Sequence, residues 1–340
     1  MKQALITDLA GIRIGHFTDT RRPTGCTVVL CPEGVVGGVA VVGAAPGTRE
    51  TDLLNPTSTV SEVHAVVLSG GSAFGLDSAS GVMHWLHEHQ YGLQVGPVRV
   101  PIVPGAVLFD LLVDDFAQPT GSGITPDAHA GYQACVDAIQ NPASALAQGN
   151  IGAGAGATVG KLNGPACAMR GGLGWAALNV NGIIIAAVIA CNAVGDVVDP
   201  HTGVILAGAR TAPESLDCIN AVEAELDGLS TNGLHAGSNT TIGVIITDAT
   251  LTKAQAQRLA QVGHDGLART IRPVHTAMDG DTLFALATGK NPAAIDVMQL
   301  ATAAGEVTAM AVMNAIKNAQ SLKLGKTWWP AANERQITTP

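Results

Sequence analysis

The most apolar run of the chain, GIIIAAVIAC at 182–191, is about half the length that a membrane-crossing helix requires, and it stops at Asn192. Such a run has to be buried inside a folded core. Asn181-Gly182, at its start, is the strongest local hairpin signal in the sequence and predicts an antiparallel pair with GWAALNVNG (174–182). Comparable β-branched runs occur at CTVVLC (26–31), GVVGGVAVVG (34–43), VHAVVLSG (63–70), TGVILAG (202–208) and TIGVIITDA (241–249). Only 3% of residues are aromatic, so the core must be built from closely packed Val, Ile, Leu and Ala, with 41 glycines serving many tight turns.

Helical patterns are expected at 75–89, at 126–147 behind Pro126, at 213–226, near 252–267 and from about 292 to 319, with a further strand at 281–288. Hairpins mixed with helices, rather than strict alternation, favour an α+β layered sandwich over a doubly wound sheet. No repeat or long linker divides the chain, which reads as a single domain over 1–340 with a polar, loosely held tail from 320. The net charge of −9 offers no basic stripe for a nucleic-acid backbone. Asp8 interrupts what a signal peptide would need as an apolar core, so the expected location is soluble and cytoplasmic, with no membrane partner. The six scattered cysteines read as small buried hydrophobes. Cys26 and Cys31 lack the second pair that a zinc site would need, and no metal or cofactor is expected.

Several motifs mimic chemistry without its spacing. GAGAGATVGK (152–161) has Ala155 where a phosphate loop needs glycine, and Leu162 follows where the metal-binding Ser or Thr belongs. Ser72 in GGSAF is not framed as a nucleophile elbow. The histidines of HWLHEH (84–89) lack the H-E-x-x-H order and read as a solvated helix end. Asn239-Thr-Thr is a formal glycosylation sequon, which has no meaning without secretion.

GSNTTIGVIITDA (237–249) is a different case. Small residues at 236–238 tolerate unusual dihedrals and lead into a rigid strand at Thr240. Thr240 is either an ordinary loop-to-strand residue or a hidden N-terminus. In the second case its hydroxyl attacks the preceding carbonyl, the ester is hydrolysed, and the freed α-amine becomes the base that a threonine nucleophile needs. Other residues bear on that choice. MDGDTLFAL (278–286) carries Asp279 and Asp281, which lie on one face if extended and could hold an ammonium, or else form a plain Asp-Gly turn. Asn192 is either an oxyanion donor at a strand end or a strand stop. Lys161 is either a cation poised in a cleft or an exposed lysine.

Taken together, these segments resemble the self-processing family of L-aminopeptidase/D-esterases, β-peptidyl aminopeptidases and nylon-oligomer (6-aminohexanoate-oligomer) hydrolases. The resemblance also runs through GIRIGHFTD (11–19), TGCTVVLCPEG (24–34), GAAPGTRETDLL (43–54), HAVVLSGGSAFGLDSASGV (64–82) and RVPIVPGAVLFDL (99–111), in order. It implies an α/β/β/α sandwich, similar to N-terminal-nucleophile hydrolases but with different strand connectivity. It also implies cleavage between Asn239 and Thr240 into chains 1–239 and 240–340, and assembly into tetramers of the processed heterodimer. By the same resemblance Thr240 matches the nucleophile and Asn192 the oxyanion asparagine. Lys161, Asp279 and Asp281 match the nylon-oligomer type of site. The activity it implies is hydrolysis of amide bonds in peptides or ω-amino-acid oligomers. An acyltransferase of the ornithine acetyltransferase type and a non-catalytic homologue are the alternatives.

Overall fold

In the computed structural model, residues 2–114, 123–229, 237–294 and 296–335 are described. The first residues of GLHAGSN (233–239), expected as a turn before Thr240, lie outside that set through 236. The principal strands are β1 (Arg13–Thr18), β2 (Gly25–Val41), β3 (Glu62–Ser69), β4 (Gly105–Val107), β5 (Gly172–Val180), β6 (Ile183–Asn192), β7 (Thr240–Thr247) and β8 (Thr282–Ala287). They form one hydrogen-bonded sheet in the order β5-β6-β7-β8-β2-β3-β4, with short edge strands at Lys2–Gln3 and Thr48–Arg49. The 17-residue β2 merges two of the expected runs. One of its edges pairs with β1 through residues 25–30 and with β8 through 36–41, while β3 follows the other, with an irregularity between Leu30 and Val35.

Three apolar clusters set the layers. Val29, Val66 and Leu68 meet Ala186, Val188, Ile242 and Phe284 where the two halves of the sheet face each other. Val28, Leu30 and Val67 face the other way, against helices α1 (Ser78–Glu88) and α2 (Ala128–Gln140). Ile185, Ala187, Ile189, Ile245 and Leu283 pack against α3 (Lys253–Thr270) and α4 (Val297–Lys317). The fold is therefore an α/β/β/α sandwich. Successive residues of β6 enter opposite clusters, and that is why its sequence is continuously apolar instead of alternating. Glycine serves close packing as much as turns. A Cβ on Gly174 would lie 2.2 Å from the carbonyl oxygen of Ala311 in α4, so this helix sits almost directly on the strand.

The expected hairpin closes as a two-residue turn, with Val180 opposite Ile183 and both Asn181 and Gly182 at positive φ. Four expectations are corrected. The 126–147 pattern ends as an α-helix at Gln140, because Pro142 cannot continue the hydrogen-bond ladder, and goes on as a 3-10 turn over Pro142–Leu146. In 213–226 only Ala221–Leu226 is helical, started by the Asn220 cap. The pattern at 292–319 becomes helical only at Val297, where the Asp296 side chain accepts from Met298 and Gln299. The tail is held through Arg335, and 336–340 lie outside the described residues: Leu322–Leu324 pairs with Thr327–Trp329, and Trp329 is buried against Val113 and Ala168. Among the described residues no helix is long and apolar enough to cross a membrane. The three histidines of HWLHEH are exposed, as expected of a solvated helix end.

Candidate active site

Three strand ends converge at one place in the sheet. β6 ends on Asn192, directly opposite Thr240 at the start of the antiparallel β7, and β8 begins beside β7 in parallel register. A bridge between Asn239 and Asp279 extends that parallel pairing beyond the strand starts. The register thus gathers Asn192, Asn239, Thr240, Asp279 and Asp281 at one edge. Lys161 reaches it from the glycine-rich segment, whose main chain bonds across to Val194 and Gly195. Gly160 has a positive φ and lies against the Gly208–Ala209 main chain, leaving no room for a side chain just before the lysine.

Thr240 is 2% exposed, and its Oγ1 lies 2.5 Å from the carbonyl oxygen of Asn239, the residue before it. The same oxygen accepts the Gly280 N–H at 3.0 Å. The hydroxyl is therefore hydrogen-bonded to the carbonyl of the peptide preceding its own residue, with a main-chain donor already on the oxygen that would take negative charge upon attack. A Cβ on Gly280 would lie 2.9 Å from Oγ1, so glycine makes the space for this arrangement.

Lys161 donates through Nζ to Asn192 O at 2.9 Å, to Asn192 Oδ1 at 2.8 Å and to Ser238 O at 3.4 Å. Three acceptors match the three hydrogens of an ammonium group. Burial nevertheless pulls its pKa down to about 7, opposed by the field of Asp279. The Asn192 side-chain oxygen is fully engaged, whereas Nδ2 uses one of its two hydrogens among the described residues. Asn192 Oδ1 also accepts from Thr158 N at 3.0 Å, and Nδ2 donates to Phe109 O at 3.0 Å.

The two carboxylates have different surroundings. Asp281 is saturated: Oδ1 accepts Thr241 N–H at 2.7 Å, and Oδ2 accepts His275 Nδ1 at 2.8 Å and His275 N–H at 3.2 Å. Asp279 accepts Thr276 N–H and Oγ1 at 2.8 and 2.7 Å, both on Oδ2, and no donor among the described residues reaches its Oδ1. Burial, with Asp281 adding to it, raises Asp279 to about 6.

A shallow cleft opens beside Ser238 and Lys161, with Phe109, Leu112, Val113, Pro165 and Trp329 forming apolar walls. Asp110, also in the wall, is bound to Arg22 at 3.0 Å, with both side chains fully buried, and accepts from Thr24 Oγ1 and Gly71 N–H. Sequence reasoning missed Gly280, His275, this ion pair and Trp329. Gly280 lay inside an Asp-Gly-Asp turn whose main chain carries no side-chain signature. Cys26 and Cys31 are both buried with thiols pushed up by desolvation, and among the described residues no cluster of three or more metal-ligating side chains occurs.

Comparison with known proteins gives the family and the fold. A relative described as an uncharacterized aminopeptidase of Mycobacterium leprae is 41% identical over 351 residues, covering 93% of this chain and 91% of its own. The 6-aminohexanoate-oligomer endohydrolase of a Kocuria species is 29% identical over 289 residues, covering 84% and 76% respectively. The solved L-aminopeptidase D-Ala-esterase/amidase of Ochrobactrum anthropi, described as a new variant of the Ntn hydrolase fold, superposes with a TM-score of 0.69. It covers 96% of this chain and 90% of its own at 18% identity, a likeness of fold. The family model of Peptidase family S58 matches residues 4–327, and the chain belongs to that family.

Proposed function

We propose that the chain is a self-processing amidohydrolase with Thr240 as its nucleophile, acting on amide bonds of peptides or ω-amino-acid oligomers. The observation that carries the reading is the placement of Thr240 Oγ1 2.5 Å from the Asn239 carbonyl oxygen, with the Gly280 N–H bound to that oxygen. In the first stage Oγ1 bonds to the Asn239 carbonyl carbon and loses its proton. The C–N bond to Thr240 then breaks as its nitrogen takes up a proton, leaving an ester. Water hydrolyses the ester to an Asn239 carboxylate and returns the Thr240 hydroxyl, which now stands beside the α-amine freed in the preceding step. In the second stage that amine accepts the Oγ1 proton as the hydroxyl attacks a substrate carbonyl. It returns the proton to the leaving amine, and water releases the acyl group. The cleft beside Ser238 is where the acyl part of a substrate would lie, since Ser238 and Asn239 are the acyl side of the first reaction.

Asp279, placed near neutrality by burial and with one oxygen not hydrogen-bonded within the described chain, suits proton transfer better than the saturated Asp281 does. Lys161 would fix the Asn192–Ser238 segment and, when charged, depress the pKa of the new amine. These assignments give a pH dependence. Raised to about 6, Asp279 ionises only above that value; lowered to about 7, Lys161 stays charged only below it. Both ions therefore coexist in a narrow window, and precursor conversion should follow a bell with limbs near those two values. A time course of conversion across pH checks this, and Asp279→Asn should remove the acid limb. A flat profile from pH 5 to 8 would refute the pairing.

Asn192 is proposed to serve the substrate oxyanion once the chain is cut, through the Nδ2 hydrogen that Phe109 O does not take. Because its Oδ1 also anchors Lys161, Asn192→Ala should slow precursor conversion as well as lower turnover by about 10²-fold, the usual cost of one oxyanion donor. Conversion at the wild-type rate would show that the Lys161 anchor is dispensable.

A further inference from the structure

His275 takes no part in the chemistry described so far, yet it is the only side chain bonded to Asp281 among the described residues. Its Nδ1 donates to Asp281 Oδ2 at 2.8 Å, and its own N–H reaches the same oxygen at 3.2 Å. The main chain at His275 has φ +56, a left-handed conformation uncommon for a side-chain-bearing residue, and this turn aims ring and N–H at one acceptor. The other Asp281 oxygen holds Thr241 N–H at 2.7 Å, one residue beyond the nucleophile. On its far side the His275 ring packs edge-on against His264, centroids 4.8 Å apart. His264 is held neutral by burial, its pKa pulled down to about 4, and its Nε2 pairs with the Ala40 carbonyl at 3.1 Å. The contacts of the His275 ring are thus the Asp281 carboxylate and the uncharged His264 imidazole, while its Nε2 is buried with no hydrogen-bond partner among the described residues, so Asp281 is the one acceptor that the ring engages there.

We propose that His275 is a positioning residue for the Thr240 reaction: by holding Asp281 through Nδ1 it fixes the clamp on Thr241 N–H and so the placement of the Thr240 hydroxyl. The proposal rests on the reading of Thr240 as nucleophile. Positioning of this kind acts on the transition state more than on substrate affinity, because misplacing the attacking atom spoils the geometry of attack.

The test compares full-length wild type, His275→Ala, His275→Asn and His275→Gln. Each is followed for precursor conversion, then for kcat and KM of the processed form, alongside Tm. Asparagine puts an amide nitrogen where Nδ1 stands, whereas glutamine extends past it. The expected result is His275→Ala and His275→Gln at least about 10-fold slower in conversion and in kcat with KM unchanged, and His275→Asn within about threefold of wild type. If His275→Ala fails to fold, the contrast between Asn and Gln decides. Equal rates for Asn and Gln, or losses that track Tm and appear in KM, would overturn the proposal and reduce His275 to a packing residue. Failure of the wild type itself to cleave at Asn239–Thr240 is a distinct outcome: it removes the Thr240 reading, and this inference with it.

Discussion

Thr240→Ala should accumulate as a single 34.4 kDa chain with hydrolysis reduced by at least about 10⁴-fold, because on the proposed function one substitution removes the attacking oxygen of both stages. The fold should tolerate the change. Thr240 pairs through its main chain with Asn192, and among the described residues its side chain hydrogen-bonds only to the neighbouring Asn239 carbonyl. Thr240→Ser keeps the hydroxyl and should still cleave, which separates loss of the nucleophile from disturbance of the strand. Denaturing gels and a turnover assay on the two variants are sufficient. Appreciable hydrolysis by the alanine variant would place the nucleophile elsewhere.

Gly280→Ala carries the second large effect. The added methyl would lie 2.6 Å from Ala45 O, 2.9 Å from Thr240 Oγ1 and 3.1 Å from Pro46 Cα, so either the Asp279–Asp281 segment or the hydroxyl must shift. Movement of the segment takes the Gly280 N–H away from the Asn239 carbonyl oxygen. Loss of one such donor costs roughly 10²–10³ in rate, and conversion of the precursor should slow by that order. A stability loss of about 1–3 kcal/mol is expected from the overpacking, small enough to leave a folded precursor for the time course. Wild-type conversion kinetics would exclude Gly280 from the reaction.

What was legible in the sequence had local causes. Asn181-Gly182 specifies its turn through the two positive φ values, and β7 begins at Thr240, where the small polar residues stop and the β-branched run starts. The tail was misread because its order comes from distant partners: Trp329 donates to Pro165 O and packs on Val113 and Ala168. Residues 213–220 kept a helical pattern although their main chain is used otherwise, with Thr211 and Asp217 hydrogen-bonded and Ile219 bonded to Ala209. At the site, the types and rough grouping of Asp279, Asp281, Asn192 and Lys161 were readable. Their division of labour was not. Whether a carboxylate is saturated, as Asp281 is, or held near neutrality, as Asp279 is, depends on His275, Thr241, Thr276 and burial, which one spacing in one sequence does not encode.

The central claim is that the chain cuts itself before Thr240, and an intact-mass spectrum of the purified wild-type protein under denaturing conditions, with N-terminal sequencing, tests it most directly. Two fragments are predicted, the smaller beginning Thr-Thr-Ile-Gly-Val. A single uncut species of 34.4 kDa, persisting through long incubation between pH 5 and 8, would contradict the account, since Thr240 would then never acquire the amine that its chemistry requires.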